Sequence, residues 1–475
     1  MSENSVDTPS VENTYATNAS ALIRTLMGGT DAMRAAGAKY LPRFMAETGA
    51  NHMARINRSV LFNATKKTVI DMTGRVFAKP IVLGKDVPEQ LVKIAENVDN
   101  AGRHLNVFAR DCFFDGLQTG IGFIFVDMLP AIPDGQGTGR DGEVTRADEQ
   151  AANRRPYLTY VRVEDLIGWK TAVVDGALVL IQARLRERVT VPDGPFATKV
   201  VPQIRVLSRG GWETWREAAD GRDKGKWVRF DEGTTSIDYI PLVPVYLNRT
   251  GFFTGAPPLK DLADLNVAHW QSASDQRNIL TVARVPILFA TGVSAEDPAL
   301  EIGASSMVRA SNPDATLQYV EHTGAAIGAG ERDLHSLTVQ MQAMGLQLII
   351  EDQAGQTATG ELRDNSKENS SLSAMVSGLQ DALEAAFGVM ADYLSLGRDA
   401  GGSLEVNHDF GLSGRLGDIQ YLTQAVLAEK IDNETYIDEL KRRGALSDAV
   451  DTEVVLHRLD TAPPALGESG RMNFD

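Results

Sequence analysis

GQTATGELRDNSKENSSLSAM, residues 355–375, is the stretch on which the reading of this chain turns. A loop of Gly, Gln and Thr runs into a helix whose first turns offer a core almost nothing apolar. After Leu362 the next large hydrophobe is Leu372. Beyond it the pattern is amphipathic, with Met375, Val376, Leu379, Leu383, Phe387, Met390 and Leu394 at helical spacing. An apolar stripe binds a helix to a core, whereas a helix polar all round is exposed, bridging or packed on other copies. The sequence therefore predicts one long helix in two environments, protein around its trailing half and water around its leading half.

The segments before it extend the theme. LKDLADLNVAHWQSASDQRNILTVAR, from Leu259 to about Arg284, reads as a helix with Leu262, Leu265, His269, Ala273 and Leu280 along one stripe. Its middle, HWQSASDQRN, is polar nearly all round, and Pro286 ends it. Residues 285–323 are strand-like and punctuated by Gly and Pro. A second helix, from about Gly330, carries Leu334, Leu337, Met341, Met344 and Leu348 at steps of 3, 4, 3 and 4, a seam flanked by Gln340, Gln342 and Gln347. At ~1.5 Å per residue, about 25 residues span about 38 Å, so the pair would form a rod. One rod is poorly supported by its own body. A ring of rods, related by heterologous contacts that close by rotation, would bury the seams.

Around these helices the chain reads as α+β. Residues 51–78 look like one helix, with Met53, Ile56, Val60 and Ala64 on a face that Val69, Met72 and Val76 resume; Lys79-Pro80 helps end it. A second helix is expected over 87–118, interrupted near Asn100-Ala101-Gly102. GIGFIFVDMLP (120–130) is a buried strand, followed by a hydrophilic loop. From Tyr157 a β-rich stretch reads as an antiparallel meander with Gly-rich turns, closed by YIPLVPVYLNRTGFFTGAPP. After the long helix come a strand, LEVNHDF (404–410), and three short helices, GDIQYLTQAVLAEK, NETYIDELKRRG and DTEVVLHRLD, with Asp418 and Asn433 suggesting capped starts.

Composition excludes several function classes. No segment approaches the ~18 consecutive apolar residues that span a bilayer. The polar N-terminus lacks the basic and apolar regions of a signal peptide and is expected to be a disordered tail over 1–20. Cys112 is the single cysteine, so an internal disulfide is impossible and an inert buried thiol in a reducing compartment is expected. The net charge of −16 argues against a protein that grips DNA by neutralising phosphates. Residues 404–475 supply much of that excess, with fourteen acids against seven Lys or Arg.

Chemistry-bearing motifs are missing as well. There is no GxxxxGK[ST], HExxH, CxxC or GxSxG. Gly135, Gly137 and Gly139 sit in a hydrophilic loop and do not open a helix. The same loop imitates an EF-hand only at Asp134, Gln136 and Thr138, since its twelfth position is Thr145. His322, His335 and the pair Glu351-Asp352 have no partners at catalytic or metal spacing. No catalytic residue, metal or cofactor is expected, and the chain is read as a non-enzyme.

Three stretches carry a resemblance to a known family. They are KYLPRFMAETGANHMARINRSVLFNATKKTVIDMTGRVFAKP, IPLVPVYLNRTGFFTGAPPLKDLADLNVAHWQSASDQRNIL and TATGELRDNSKENSSLSAMVSGLQDALEAAF, which together span most of residues 30–410. The first shows a YLP, a Glu soon after, an Arg-containing helix with FN and a GxVFxKP close. In these the chain resembles the portal (head-to-tail connector) proteins of tailed bacteriophages, and more narrowly a portal-like family first defined as a domain of unknown function. His52-Met53 stands where the family often has a Tyr.

The resemblance implies a portal fold in a closed ring, usually of twelve subunits. A disordered tail (1–20) would lead into an α/β wing (21–256). Stem helix 1 (257–284), a small α/β clip (285–323) and stem helix 2 (324–351) would follow, then a tunnel loop (352–360) and a tunnel helix (361–396). A wing return strand and helical crown (397–475) would complete the chain. It further implies a virion protein at the capsid portal vertex, assembled in the host cytoplasm, through which double-stranded DNA passes non-specifically. Its expected partners are identical copies, the large terminase, a head–tail adaptor, and the major capsid and scaffolding proteins, with no membrane. Gln353, Gln356, Thr357, Thr359, Arg363, Asn365 and Lys367 would line the lumen. Two readings stay open beside it: another oligomeric phage head or adaptor protein, and a nucleic-acid-processing enzyme.

Overall fold

The computed structural model describes residues 5–129, 154–219, 223–284, 287–292, 316–320, 325–346, 358–408, 416–428, 430–442 and 450–460, with isolated positions between; within 358–370 and 416–421 it describes the backbone alone. At its centre lies a three-stranded antiparallel sheet, β2 (Ile121–Met128) flanked by β3 (Pro156–Val161) and β9 (Leu242–Tyr246). Strand period 2 divides β2 between two cores. Ile124 and Val126 face helices, while Ile121, Phe123 and Phe125 face the meander. Both faces are covered, which is why GIGFIFV (120–126) reads as an unbroken apolar run.

The helical side of that sheet is packed by α4 (Ala64–Val76), α5 (Glu89–Ala95), α6 (Leu105–Thr119) and the trailing half of the long helix α9 (Ala358–Tyr393). Leu372, Val376, Leu379, Leu383 and Met390 of α9 are fully buried there, each worth ~1.5–3 kcal/mol on leaving water. Cys112 lies in the same core, and burial pushes its thiol well above the usual range, as expected for an inert cysteine. The other side is covered by the five-stranded meander, β4 (Leu166–Val174), β5 (Ala177–Pro192), β6 (Thr198–Ser208), β7 (Gly211–Glu217) and β8 (Trp227–Thr234), paired in chain order.

Several expectations are corrected. The helix read over 51–78 is two, α3 (Gly49–Arg58) and α4, because Ser59 turns extended and the Asn63 side chain caps α4 by accepting from the Lys66 amide. The supposed tail is helical from its eleventh residue: α1 (Val11–Met27) is capped by Ser10 and buries Ile23 and Leu26. Its polar letters hid the docking. Asn13 donates to the Val163 and Leu166 carbonyls at 2.9 and 3.0 Å. Arg24 forks to Asp115 and Glu164, with Asp115 also accepting from the Tyr160 hydroxyl. The return strand shrinks to Leu404–Glu405, paired with Val82–Leu83. The three C-terminal helices fall at Leu416–Leu427, Asn433–Arg442 and Thr452–Asp460; the second is capped by Asp432, not Asn433.

Candidate functional site

Two antiparallel helices leave the body side by side: α7 (Lys260–Ala283) and α8 (Ala325–Met341). Their pairing is read from contacts that run in opposite directions. Leu262 packs with Met341, Ser272 donates to Asp333 at 2.5 Å, and Gln276 donates to the Ile327 carbonyl at 2.9 Å. Beyond them a ribbon of β12 (Ile287–Thr291) and β13 (Thr316–Val320) pairs Ile287 with Val320 and Thr291 with Thr316. A groove of about 400 Å³ runs between the helices, lined by Ser272, Asp275, Gln276, Ile279, Asp333 and Leu337 among others.

The polar middle of α7 has a cause the sequence reading missed. Several of its side chains are held within the subunit by the segment 40–65, although the His269 Nδ1, Trp270 Nε1 and Gln276 Oε1 atoms are buried without a partner. Asn266, fully buried, accepts from the Thr65 amide and hydroxyl and donates to the Phe62 carbonyl at 2.7 Å. Gln271 donates to the Tyr40 carbonyl, Ser59 donates to Ser274, and Arg277 reaches the Arg58 carbonyl. Much of the polar stretch therefore belongs to a base that plugs into the body. Polar atoms buried with partners cost little, while the same atoms buried without them cost several kcal/mol.

At the centre of this base sits Arg55, with 2% of its surface exposed. Its guanidinium grips Glu47 through two parallel bonds of 2.9 Å, donates to the Pro42 carbonyl at 2.6 Å, and reaches Asp275 of α7 at 3.2 Å. Phe44 lies over its face at 4.1 Å. Hydrogen bonding to Arg55 holds the Glu47 carboxyl below its usual range. Desolvation pushes Asp275 up, against the pull of Arg55. Burial lowers the pKa of His269, whose ring packs on Phe62 at 5.3 Å. The signal was present: the Glu and Arg of the first quoted motif and the Asp of the second meet here.

The expected seam is only partly continuous. Leu334 and Leu337 are half-buried and Met341 is fully buried, but Met344 is 55% exposed and Leu348 lies outside the described residues. The cause is a π-turn over Gln342–Leu346. It inserts one residue into the helical phase, rotating Met344 outward and setting Gly345 against Leu262 and Thr68.

Of the proposed lumen residues, Gln353, Gln356 and Thr357 lie outside the described residues. Thr359, Arg363, Asn365 and Lys367 fall on the helical backbone of α9, whose start at Ala358 precedes the expected 361. At a 3.6-residue period, positions 359, 363 and 367 share one stripe and 365 lies on the opposite side. The trailing half is anchored at close quarters. An added Cβ at Gly378 would stand 2.0 Å from the Tyr246 carbonyl oxygen, and Tyr239 donates to Asp392 at 2.8 Å near the helix end.

Among the described residues no group of three His, Cys, Asp or Glu could hold a metal, and no helix is long and apolar enough to cross a membrane. A second cavity, of about 870 Å³, is lined by Arg24, Lys66, Arg103, Asp115, Tyr160 and Arg162 among others.

A family described as a domain of unknown function (DUF4055) matches residues 258–394, the span from α7 through α9. Among solved structures the chain is similar to the neck of an empty gene transfer agent (GTA) particle computed with C6 symmetry, at 14% identity and TM-score 0.43, covering 80% of this chain and 89% of that one. It is also similar to the neck of the native GTA particle computed with C12 symmetry, at 13% identity and TM-score 0.42, covering 78% and 88%. The virion of the native particle matches at 13% identity and TM-score 0.36, covering 83% and 89%. No curated protein matches the chain.

Proposed function

We propose that the chain is a non-enzymatic structural subunit of a phage-like particle, a portal-type protein whose copies close into a ring around the DNA path at the head–tail vertex. The division of α9 carries this reading. Its helical backbone runs unbroken from Ala358, yet in residues 358–371 Leu362 is the only large hydrophobe, while from Leu372 onward the helix is core. A helix end so composed wants water along its flank, and a ring of copies supplies it. The α7–α8 rod supports the same reading, since its base is locked into the body while Val339 and Met344 stay exposed for neighbours.

In this ring the duplex passes without base readout. The net charge of −16 per copy repels phosphate, and the lumen candidates are mostly neutral, with Arg363 and Lys367 as brief contacts. The terminase and the adaptor engage the rod tip in turn. Two-dimensional class averages of the purified protein should show a twelvefold ring around a channel wide enough for duplex DNA; a monomer at micromolar concentration in mass photometry overturns the proposal. Replacing Gln356 and Thr357 by Trp should block packaging or genome retention with rings intact. Normal packaging would reject the lumen assignment alone.

A further inference from the structure

The groove between α7 and α8 calls for a cation that the subunit does not supply. Ala268 and Ile279 of α7 and Ala326 and Leu337 of α8 give it apolar walls. Its charged groups are Asp275 and Asp333, and among the described residues no Lys or Arg lines it. Asp275 receives a single bond of 3.2 Å from Arg55, whose fork is committed to Glu47. Asp333 accepts from the Ser272 hydroxyl at 2.5 Å and, among the described residues, has no ion pair. His269 lies close enough to feel Asp333, but its own burial works against the charged imidazole.

A second observation at the same place also asks for positive charge. Gln276, a lining residue only 6% exposed, donates its amide to the Ile327 carbonyl at 2.9 Å, while its Oε1 is buried with no partner. A buried acceptor left without a donor is costly. Gly330 stands against it. A Cβ there would lie 2.0 Å from that oxygen, so any side chain at 330 would take the space the acceptor faces. Two carboxylates and an unanswered carbonyl thus meet in one apolar-walled groove, and together they select a cation rich in hydrogen-bond donors.

Ring symmetry narrows where that cation comes from. Rotation about the axis keeps every atom at its height along the axis, so each residue of a neighbouring copy stands level with its own equivalent. Arg332 adjoins Asp333, and consecutive Cα atoms are ~3.8 Å apart. Whatever the tilt of the rod, the neighbour's Arg332 therefore stands within about 4 Å of the level of Asp333, inside the reach of its side chain. Arg332 is exposed and, among the described residues, has no ion pair. At ~100° per residue it lies on a flank of α8 apart from Gly330, Asp333 and Leu337, and shares that flank with Val339, which is 48% exposed. Arg277 stands at a similar level but donates to the Arg58 carbonyl of its own subunit.

We propose that the groove receives the guanidinium of Arg332 from the next copy in the ring, held between Asp275 and Asp333; this rests on the ring reading above. The planar fork serves two carboxylates at once, and its methylenes lie along Ile279 and Leu337. Groove and arginine sit on different flanks, so the contact is heterologous, and each site is complete only when a second copy fills it.

Arg332→Glu, at an exposed position, should keep the wild-type thermal melt of the dissociated subunit while raising by about tenfold or more the concentration at which rings fall apart. Arg332→Lys should keep the ring and place a primary amine in the groove. A carbodiimide should then join that amine to Asp275 or Asp333 of another copy, giving products of twice the subunit mass or more. Rings of unchanged stability in Arg332→Glu, or amides from position 332 to other carboxylates of the neighbour, sink the groove contact and spare the ring. Rings that dissociate in EDTA and ignore Arg332→Glu would put a metal ion in the groove, which also overturns the proposal. A wild-type protein that forms no ring sinks both readings.

Discussion

Arg55 ties its own neighbourhood, Pro42 and Glu47, to Asp275 of α7, far away in sequence, and its chemistry decides what each substitution there does. Its fork satisfies Glu47 twice, the Pro42 carbonyl and Asp275 at once. Arg55→Ala strands a buried carboxylate and should cost ~3–5 kcal/mol in urea denaturation. Arg55→Lys should recover only part of that loss, because a point charge cannot form the two parallel bonds. A loss below ~1 kcal/mol for Arg55→Ala would remove the hub from the account. The pH dependence follows from Glu47. Its folded pKa is depressed, so its contribution is complete above the ordinary carboxyl value of ~4.3 and fades as pH falls through the folded value. Asp275 acts oppositely: its raised pKa makes the folded state bind a proton more readily, so its ionisation weakens folding as pH rises. The stability gap between wild type and Glu47→Gln should therefore be widest at neutral pH and close in acid. A gap that does not vary from pH 7 to pH 3 would contradict this.

At the scale of elements, periodicity was legible wherever a helix had one apolar environment. The trailing half of α9 follows its stripe from Leu372 to Met390, and the β2 run declared a strand covered on both faces. Periodicity failed where polar side chains did the packing. In α1 and in the middle of α7, Asn13, Asn266 and Ser274 are buried through hydrogen bonds and Arg24 is half-buried, and their letters imitate a solvated surface. The seam after Met341 failed for another reason, since the π-turn shifts phase by one residue and nothing in QAMGL announces it. Glycines in α9 report packing equally quietly. Ala is the better helix former by ~1 kcal/mol, so Gly378→Ala would stabilise a free helix. Here the new methyl meets the Tyr246 carbonyl, a backbone atom of a central strand that cannot swing aside. The substitution should cost ~1–3 kcal/mol despite the propensity gain, and a rise in melting temperature would refute the close approach.

For the whole molecule the informative quantity is the sign of the charge together with its distribution. The net charge argues against a chain that grips DNA tightly, and the structure adds that three of its central guanidinium groups are already paired. Arg24, Arg55 and Arg205 each face carboxylates inside the body, leaving them unable to serve a polyanion. What the sequence could not disclose was this pairing, because a buried Arg and a phosphate-binding Arg are the same letter. A protein that grips duplex DNA releases counterions and shows Kd values of ~10⁻⁴–10⁻⁶ M even without specificity at physiological salt. With a net charge of −16 and its inner cations paired, this chain should bind more weakly than that range. Fluorescence anisotropy with a labelled 30-base-pair duplex in 150 mM salt measures it directly, and the signal should stay flat into the ~100 μM range of protein. A saturating curve at ~1 μM whose midpoint shifts steeply with salt would mean a phosphate-gripping surface, and a conduit that must let DNA slide could not be built from it.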